Sequence, residues 1–247
     1  MLAVILGNRP PPWVIVLVEQ ITVNEVEVVN AAIPFQGRAV PMAWVDFEYP
    51  SKTIHPASQN TLERYLLTWL AGRAARDTTI LIFDRGYPRV ELIKDLKEKG
   101  FAEPWFLIVA ADSKSWLPTK EVAGLYRQRM QIEQCFRDWK SHLGLRGLHL
   151  QVQKSERLLR VLMGFTLAYL IVLLLGTDPL AERLRPYFEQ ERREPRHGTR
   201  KVLSVLSIAL HVLSDSRWQQ QARKRLMQIL ARLAQGCGVA LLPAFSP

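Results

Sequence analysis

Apolar positions fall into two regimes along the chain. Up to about Ala110 they come in short β-rich runs separated by turns and helical stretches. From about Gly144 onward they recur at helical spacing. Trp13 to Thr22 (WVIVLVEQIT) is largely apolar and predicts a buried strand, with Glu19 near its C-terminal end. The stretch VNEVE supplies a turn, and Val26 to Phe35 predicts a second strand. Gln36-Gly37 turns the chain again, and Arg38 to Val45 predicts a third. Pro41 places that strand at a sheet edge or at a bulge. Three antiparallel strands in a meander follow.

Asp46 to Pro56 is polar and irregular. Ala57 to Arg76 has helical periodicity, with Leu62, Tyr65, Leu66, Trp69 and Leu70 as its apolar face. Thr78 to Phe83 is a short apolar strand closed by Asp84-Arg85-Gly86-Tyr87. Pro88 to Lys99 predicts a helix, with proline in its first turn and Gly100 at its end. Trp105 to Ala110 is a fifth strand. After a connection over Ala111 to Pro118, a helix begins near Thr119, a suitable N-cap. The order β-β-β-α-β-α-β-α predicts a mixed α/β sheet with helices on both faces.

The helix following Thr119 carries YRQRMQIEQCFRDWK from Tyr126 to Lys140. At about 100° per residue, Tyr126, Arg129, Glu133 and Lys140 lie within an arc of roughly 60°. Leu125, Ile132, Phe136, Trp139 and Leu143 form an apolar stripe beside it. Arg129 and Glu133 are i,i+4 neighbours, a spacing that can hold the carboxylate ionised and aimed. The same pattern is also that of an ordinary amphipathic helix with surface ion pairs.

The second half reads as all helix. Val161 to Thr177 is an uncharged run, shorter than the roughly 20 residues of a membrane span, so a buried helix is the expectation. Pro179 to Arg193 and Lys201 to Leu213 predict further helices around a basic loop, RREPRHGTRK. Arg217 to Arg232 predicts a last helix, with Arg217, Arg223, Lys224, Arg225 and Arg232 and no acid.

Composition narrows the function. The 247 residues are 48% hydrophobic and 23% charged, a globular balance with room for a full core. The net charge of +10 points to a polyanionic partner, nucleic acid first and an acidic membrane surface second. Two cysteines, Cys135 and Cys237, give neither a disulfide framework nor a zinc pattern, which fits a reducing cytoplasm. The five histidines show no metal-ligand spacing. MLAVILG lacks a basic n-region and runs straight into a proline-rich stretch, so no secretory signal is expected.

Tyr126, Arg129, Glu133 and Lys140, spaced by two, three and six residues, resemble the Y-R-E-K signature of DDE transposases in the insertion-sequence-four-like branch. Asp84-Arg85-Gly86-Tyr87 resembles that family's second catalytic aspartate and the residues after it. The resemblance implies a ribonuclease-H-like fold, here with five strands. It also implies a transposase that cleaves DNA and transfers strands with two Mg2+ or Mn2+ ions held by three carboxylates. The first carboxylate is Glu19, in the position where the family carries an aspartate. Asp84 is the second and Glu133 the third, and Asp46 is a weaker substitute for the first. Arg129, Lys140 and Arg85 are expected on DNA phosphates, with Tyr126 against the backbone.

The implied organisation is a leader over 1–12, a catalytic core over 13–150 and a helical region over 151–247. DNA and a second copy of the chain are the expected partners, in the cytoplasm and away from membranes. The family usually places a DNA-binding region before the first strand, and only about a dozen residues precede Trp13 here. A truncated remnant that binds DNA without cutting it is therefore the alternative. A basic membrane-associated protein using Val161 to Thr177 is the third reading.

Overall fold

The computed structural model describes residues 13–23, 26–48, 64–69, 79–83, 101–102, 107–110, 124–145, 155–195 and 199–236. They fall into two compact units divided after Phe165.

The first unit is built on β1 (Trp13–Val23), β2 (Val26–Phe35) and β3 (Arg38–Glu48). β2 lies antiparallel to both of the others. Its register with β3 runs from Val26 opposite Glu48 to Phe35 opposite Arg38. Gln36 (φ 51°) and Gly37 (φ 74°) make the turn between them. Positive φ at both central positions matches the twist of the flanking strands, and glycine adopts it without steric cost. β3 is an edge strand, and its pairing slips beside Pro41, so Met42 is extra. Edge and bulge thus coincide at the proline, which has no N–H to offer a ladder. The third strand reaches Glu48, so Asp46 is a strand residue opposite Val28 and not part of a loop.

The helix at 64–69 (α1) buries Leu66 and Leu67. The expected face is corrected at Tyr65, which is 65% exposed. A six-residue described stretch with adjacent leucines leaves several rotations equally apolar by pattern alone. β4 (Thr79–Ile82) is buried along its whole length and pairs in parallel with β1, Trp13 opposite Thr79 and Val16 opposite Ile82. β5 (Phe101–Ala102) and β6 (Leu107–Ala110) complete the sheet, in the order β3-β2-β1-β4-β6-β5. The sheet therefore has six strands where five were expected. The added strand is two residues long, too short for alternation to reveal. β6 runs antiparallel to β4. The helix expected over Pro88 to Lys99 lies outside the described residues.

α2 (Met130–Ser141) lies on one face of this sheet. Ile132 packs with Ala32, Ala39, Ile80 and Ile82, while Leu125, Tyr126 and Phe136 border the cluster. Trp139 is fully buried, edge-on to Trp44 and Phe136 and tilted against Phe165. Gly144 closes the helix with φ 76°, and the Leu145 N–H donates to the Trp139 carbonyl at 3.0 Å.

α3 (Ser155–Gly176) begins in the first unit and continues into the second. From Glu156 to Gly176 it is long and apolar enough to cross a membrane by length and composition. Leu158, Leu162, Tyr169, Leu170, Leu173 and Leu175 on it are buried, while Met163 and Leu167 are exposed. The second unit adds α4 (Pro179–Leu184), a 3-10 turn (Arg185–Tyr187), α5 (Val205–Ser214) and α6 (Gln219–Gly236). Asp178 caps α4 by accepting from the Leu180 N–H, and Ser204 caps α5 by accepting from Ser207.

The helix expected from Pro179 to Arg193 is shorter than predicted, because Arg185 is drawn inward. Its guanidinium bonds Glu182, Glu189 and the Leu203 carbonyl. Glu189 in turn accepts from the Val202 and Leu203 amides. That node ties the non-helical stretch after Tyr187 to the start of α5.

Candidate active site

The signature residues sit around a tightened turn rather than on one uninterrupted helix. Residues 124–127 are helical, Gln128 and Arg129 form a turn, and α2 follows. The Gln128, Arg129, Gln131 and Ile132 amides donate three residues back, at 2.9–3.1 Å. In this geometry residues three apart eclipse. Tyr126 and Arg129 therefore come closer into line than α-helical spacing gives. The Arg129 guanidinium carbon lies 5.9 Å from the Tyr126 ring centroid.

Arg129 Nη2 then reaches Glu133 Oε1 at 2.9 Å. The Glu133 side chain is 47% exposed and that of Arg129 only 17%. The guanidinium holds one carboxylate oxygen of the half-exposed Glu133 side chain. Among the described residues the buried hydroxyl of half-buried Tyr126 has no hydrogen-bond partner, which is a cost. Lys140 is exposed seven residues beyond Glu133, about 10 Å along the helix axis. Three of the four signature side chains thus touch in sequence, and the fourth stands two turns away.

What aims Glu133 outward is the opposite side of the helix. Ile132, Cys135 and Trp139 are buried, as the apolar stripe predicts for Ile132 and Trp139. Asp138 was not distinguished by the sequence pattern. It is 3% exposed and accepts from Arg38 Nε at 2.6 Å. Arg38 also donates to the Gly37 carbonyl at 3.1 Å, so the pair fastens α2 to the β2–β3 turn. An acid inside an otherwise packed helix face was the available signal. Its partner stands 100 residues away in sequence and was invisible to spacing.

Glu19 lies where β1 departs from regular pairing. Val18 faces Asn30 and Ile21 faces Val28, so Glu19 and Gln20 together oppose the single residue Val29. A bulge interrupts alternation and re-aims the chain, and such bulges concentrate beside functional sites. Asp84 and Arg85 lie outside the described residues, and of Glu19 only the backbone position is described. Among the described residues no group of three or more His, Cys, Asp or Glu is placed to hold a metal ion. Among the described residues the helix face thus offers one half-exposed oxygen-donor carboxylate beside the Arg129 guanidinium and the Tyr126 ring, with Lys140 two turns on.

Residues 51–171 match the family model for the transposase DDE domain. The match supports a DDE transposase. A transposase DDE domain implies a metal-dependent nuclease or transferase kind of enzyme, acting on DNA in transposition and recombination, with divalent ions. The matched segment includes Asp84 and all four signature residues, while Glu19 precedes it. No curated protein and no solved structure matches the chain.

Proposed function

We propose that this chain is an insertion-sequence transposase of the insertion-sequence-four-like branch, which cleaves DNA strands and joins them to a target. In this reading 13–150 is a ribonuclease-H-like catalytic core and 151–247 a helical region, and the protein works as a homodimer on DNA in the cytoplasm. Glu19, Asp84 and Glu133 hold two divalent ions, Mg2+ or Mn2+. Hard cations of this kind take oxygen ligands, and the half-exposed Glu133 carboxylate suits them. Bound there, the ions would activate the attacking oxygen and stabilise the leaving one.

One observation carries the reading. Ile132, the residue before Glu133, packs with Ile80 and Ile82 of β4, and Asp84 follows Ile82 by two positions. Two residues of chain span at most about 7 Å, which supports a shared neighbourhood for the second and third carboxylates. The parallel pairing of β4 with β1, and the bulge at Glu19 beyond Val16, support the first carboxylate at the same sheet edge. The order β3-β2-β1-β4 supports the ribonuclease-H-like assignment, and the antiparallel β6 is a variation on it.

The chain's own residues would do the following. Arg129 holds Glu133 through one carboxylate oxygen and presents positive charge at the DNA phosphate beside the cleaved bond. Lys140 neutralises a phosphate farther along. Tyr126 backs the Arg129 guanidinium with its ring and packs toward the DNA backbone.

The test is strand cleavage of an element-end duplex with Mg2+ or Mn2+, using wild type, Asp84→Ala and Glu133→Ala. The reading expects metal-dependent nicking that both substitutions abolish, and Glu19→Asp retaining it. Salt-sensitive DNA binding with no cleavage at any metal concentration would instead mark a remnant that only binds.

A further inference from the structure

The second unit holds a basic cleft that the catalytic reading does not use. It lies between α4 and α6, has a volume of 380 Å³, and is lined by Pro179, Leu180, Arg183, Gln221, Lys224, Arg225 and Gln228. Three contacts lay the two segments side by side. Tyr187 meets Trp218 at 5.7 Å between ring centroids, Arg183 Nη2 donates to Gln221 Oε1 at 3.1 Å, and Arg225 Nε stands 3.5 Å from Asp178 Oδ1. As the numbers fall along the first segment they rise along α6, so the walls run antiparallel.

The charge of this cleft is only partly compensated, since Arg225 faces Asp178 and bonds Gln228 Oε1 at 2.9 Å. α6 has no acidic residue from Gln219 to Gly236, yet carries Arg223, Lys224, Arg225 and Arg232. Among the described residues Arg183 bonds the neutral Gln221 and makes no ion pair, and neither does Lys224. Among the described residues Asp178 is the carboxylate that reaches the rim. It is largely buried and already accepts from the Leu180 N–H. Three cations and two glutamine amides thus converge on one groove, and Tyr187, 65% exposed, stands beyond Arg183. Charge that faces water without partners costs a fold self-repulsion, and a polyanion relieves it. Guanidinium, ammonium and amide groups are among those that bond phosphate oxygens and sugars.

We propose that the cleft between α4 and α6 binds the sugar-phosphate backbone of double-stranded DNA, as a surface additional to Arg129 and Lys140. This rests on the transposase reading for its choice of DNA as the polyanion. The contact is independent of sequence and sensitive to salt.

The experiment measures binding of the full chain to a short labelled duplex of arbitrary sequence across a salt series. Wild type is compared with Arg183→Gln/Lys224→Gln/Arg225→Gln, with Lys224→Gln alone, and with Arg129→Gln/Lys140→Gln. All these side chains except Arg129 and Arg225 are well exposed, and circular dichroism melts check that each variant is folded. Each lost phosphate contact lowers the slope of log affinity against log salt by about 0.9. The triple variant is expected to lose about 2–3 from that slope and at least about 10-fold in affinity near physiological salt, and Lys224→Gln about 0.9. An unchanged slope in the folded triple variant overturns the cleft. If Arg129→Gln/Lys140→Gln still weakens binding in that case, the transposase reading stands without the cleft. Wild type that binds no duplex overturns both. Binding to anionic lipid vesicles that the triple substitution removes, with duplex binding untouched, overturns the proposal in favour of a membrane surface.

Discussion

Ile132 and Glu133 are adjacent on α2 and live in opposite surroundings, so substituting each separates architecture from chemistry. Ile132 is fully buried against Ile80 and Ile82. Ile132→Ala removes three carbons, worth about 2.4 kcal/mol at roughly 0.8 kcal/mol each. The cavity left between helix and sheet adds to that, for a total of about 3–4 kcal/mol. Glu133→Ala breaks only a half-exposed pair with Arg129, worth about 0.3–0.5 kcal/mol. A chain of this size loses about 2–4 °C of melting temperature per kcal/mol. The expected drops are therefore about 6–16 °C for Ile132→Ala and about 2 °C or less for Glu133→Ala. Activity should order the other way. Glu133→Ala loses cleavage outright while staying folded. Ile132→Ala, assayed below its melting point, keeps every reacting group and loses up to about 100-fold, the cost of a carboxylate shifted by about 1 Å. Thermal melts and strand cleavage on the same preparations decide it. An Ile132→Ala loss below about 1 kcal/mol would show that α2 is not seated on β4, since buried isoleucine truncations cost more. A Glu133→Ala protein as unstable as Ile132→Ala would make the carboxylate structural.

Two further predictions concern the second unit. A Cβ added to Gly176 would lie 2.1 Å from the Val205 carbonyl oxygen, and backbone cannot yield cheaply. Gly176→Ala should therefore destabilise the protein by about 1–3 kcal/mol, read by denaturant titration, although the same change elsewhere in a helix is favourable. Burial opposes the charged form of Glu189, but the Arg185 guanidinium and the Leu203 and Val202 amides outweigh it and hold the carboxyl below its ordinary range. A lowered folded pKa gives stability that is present above the unfolded value, about 4.3, and lost as pH falls through the folded one. Stability should thus fall on acidification below about pH 5, and Glu189→Gln should cost about 2–3 kcal/mol near neutrality while flattening that acid limb. A pH series of melting temperatures for both proteins reads this directly.

The strands of the meander were legible because burial on a sheet face leaves period-two and β-branched patterns. β2 begins and ends where the pattern says, and Pro41 marked both an edge and a bulge. β5 escaped notice because two residues hold no period. The break at Gln128–Arg129 escaped because no glycine or proline announces it. It is expressed only in amides that donate three residues back. Long-range polar pairs were the largest blind spot. Arg38 with Asp138, and Arg185 with Glu189 and the Leu203 carbonyl, join positions whose proximity only the fold creates. The row of Tyr126, Arg129 and Glu133 was legible from helical spacing, and these side chains do come into contact. The bulge that carries Glu19 was not, because a single extra residue leaves the apolar run looking regular.

The central claim is that carboxylates distant in sequence share a metal. Ferrous iron substituted for Mg2+, with ascorbate and peroxide, cuts a protein backbone only beside the bound ion. The account predicts fragments from cuts near Glu19, Asp84 and Glu133, all suppressed by excess Mg2+ and lost in Glu133→Ala. Cuts at unrelated positions, or cuts near Glu133 alone that Mg2+ leaves unchanged, would contradict it.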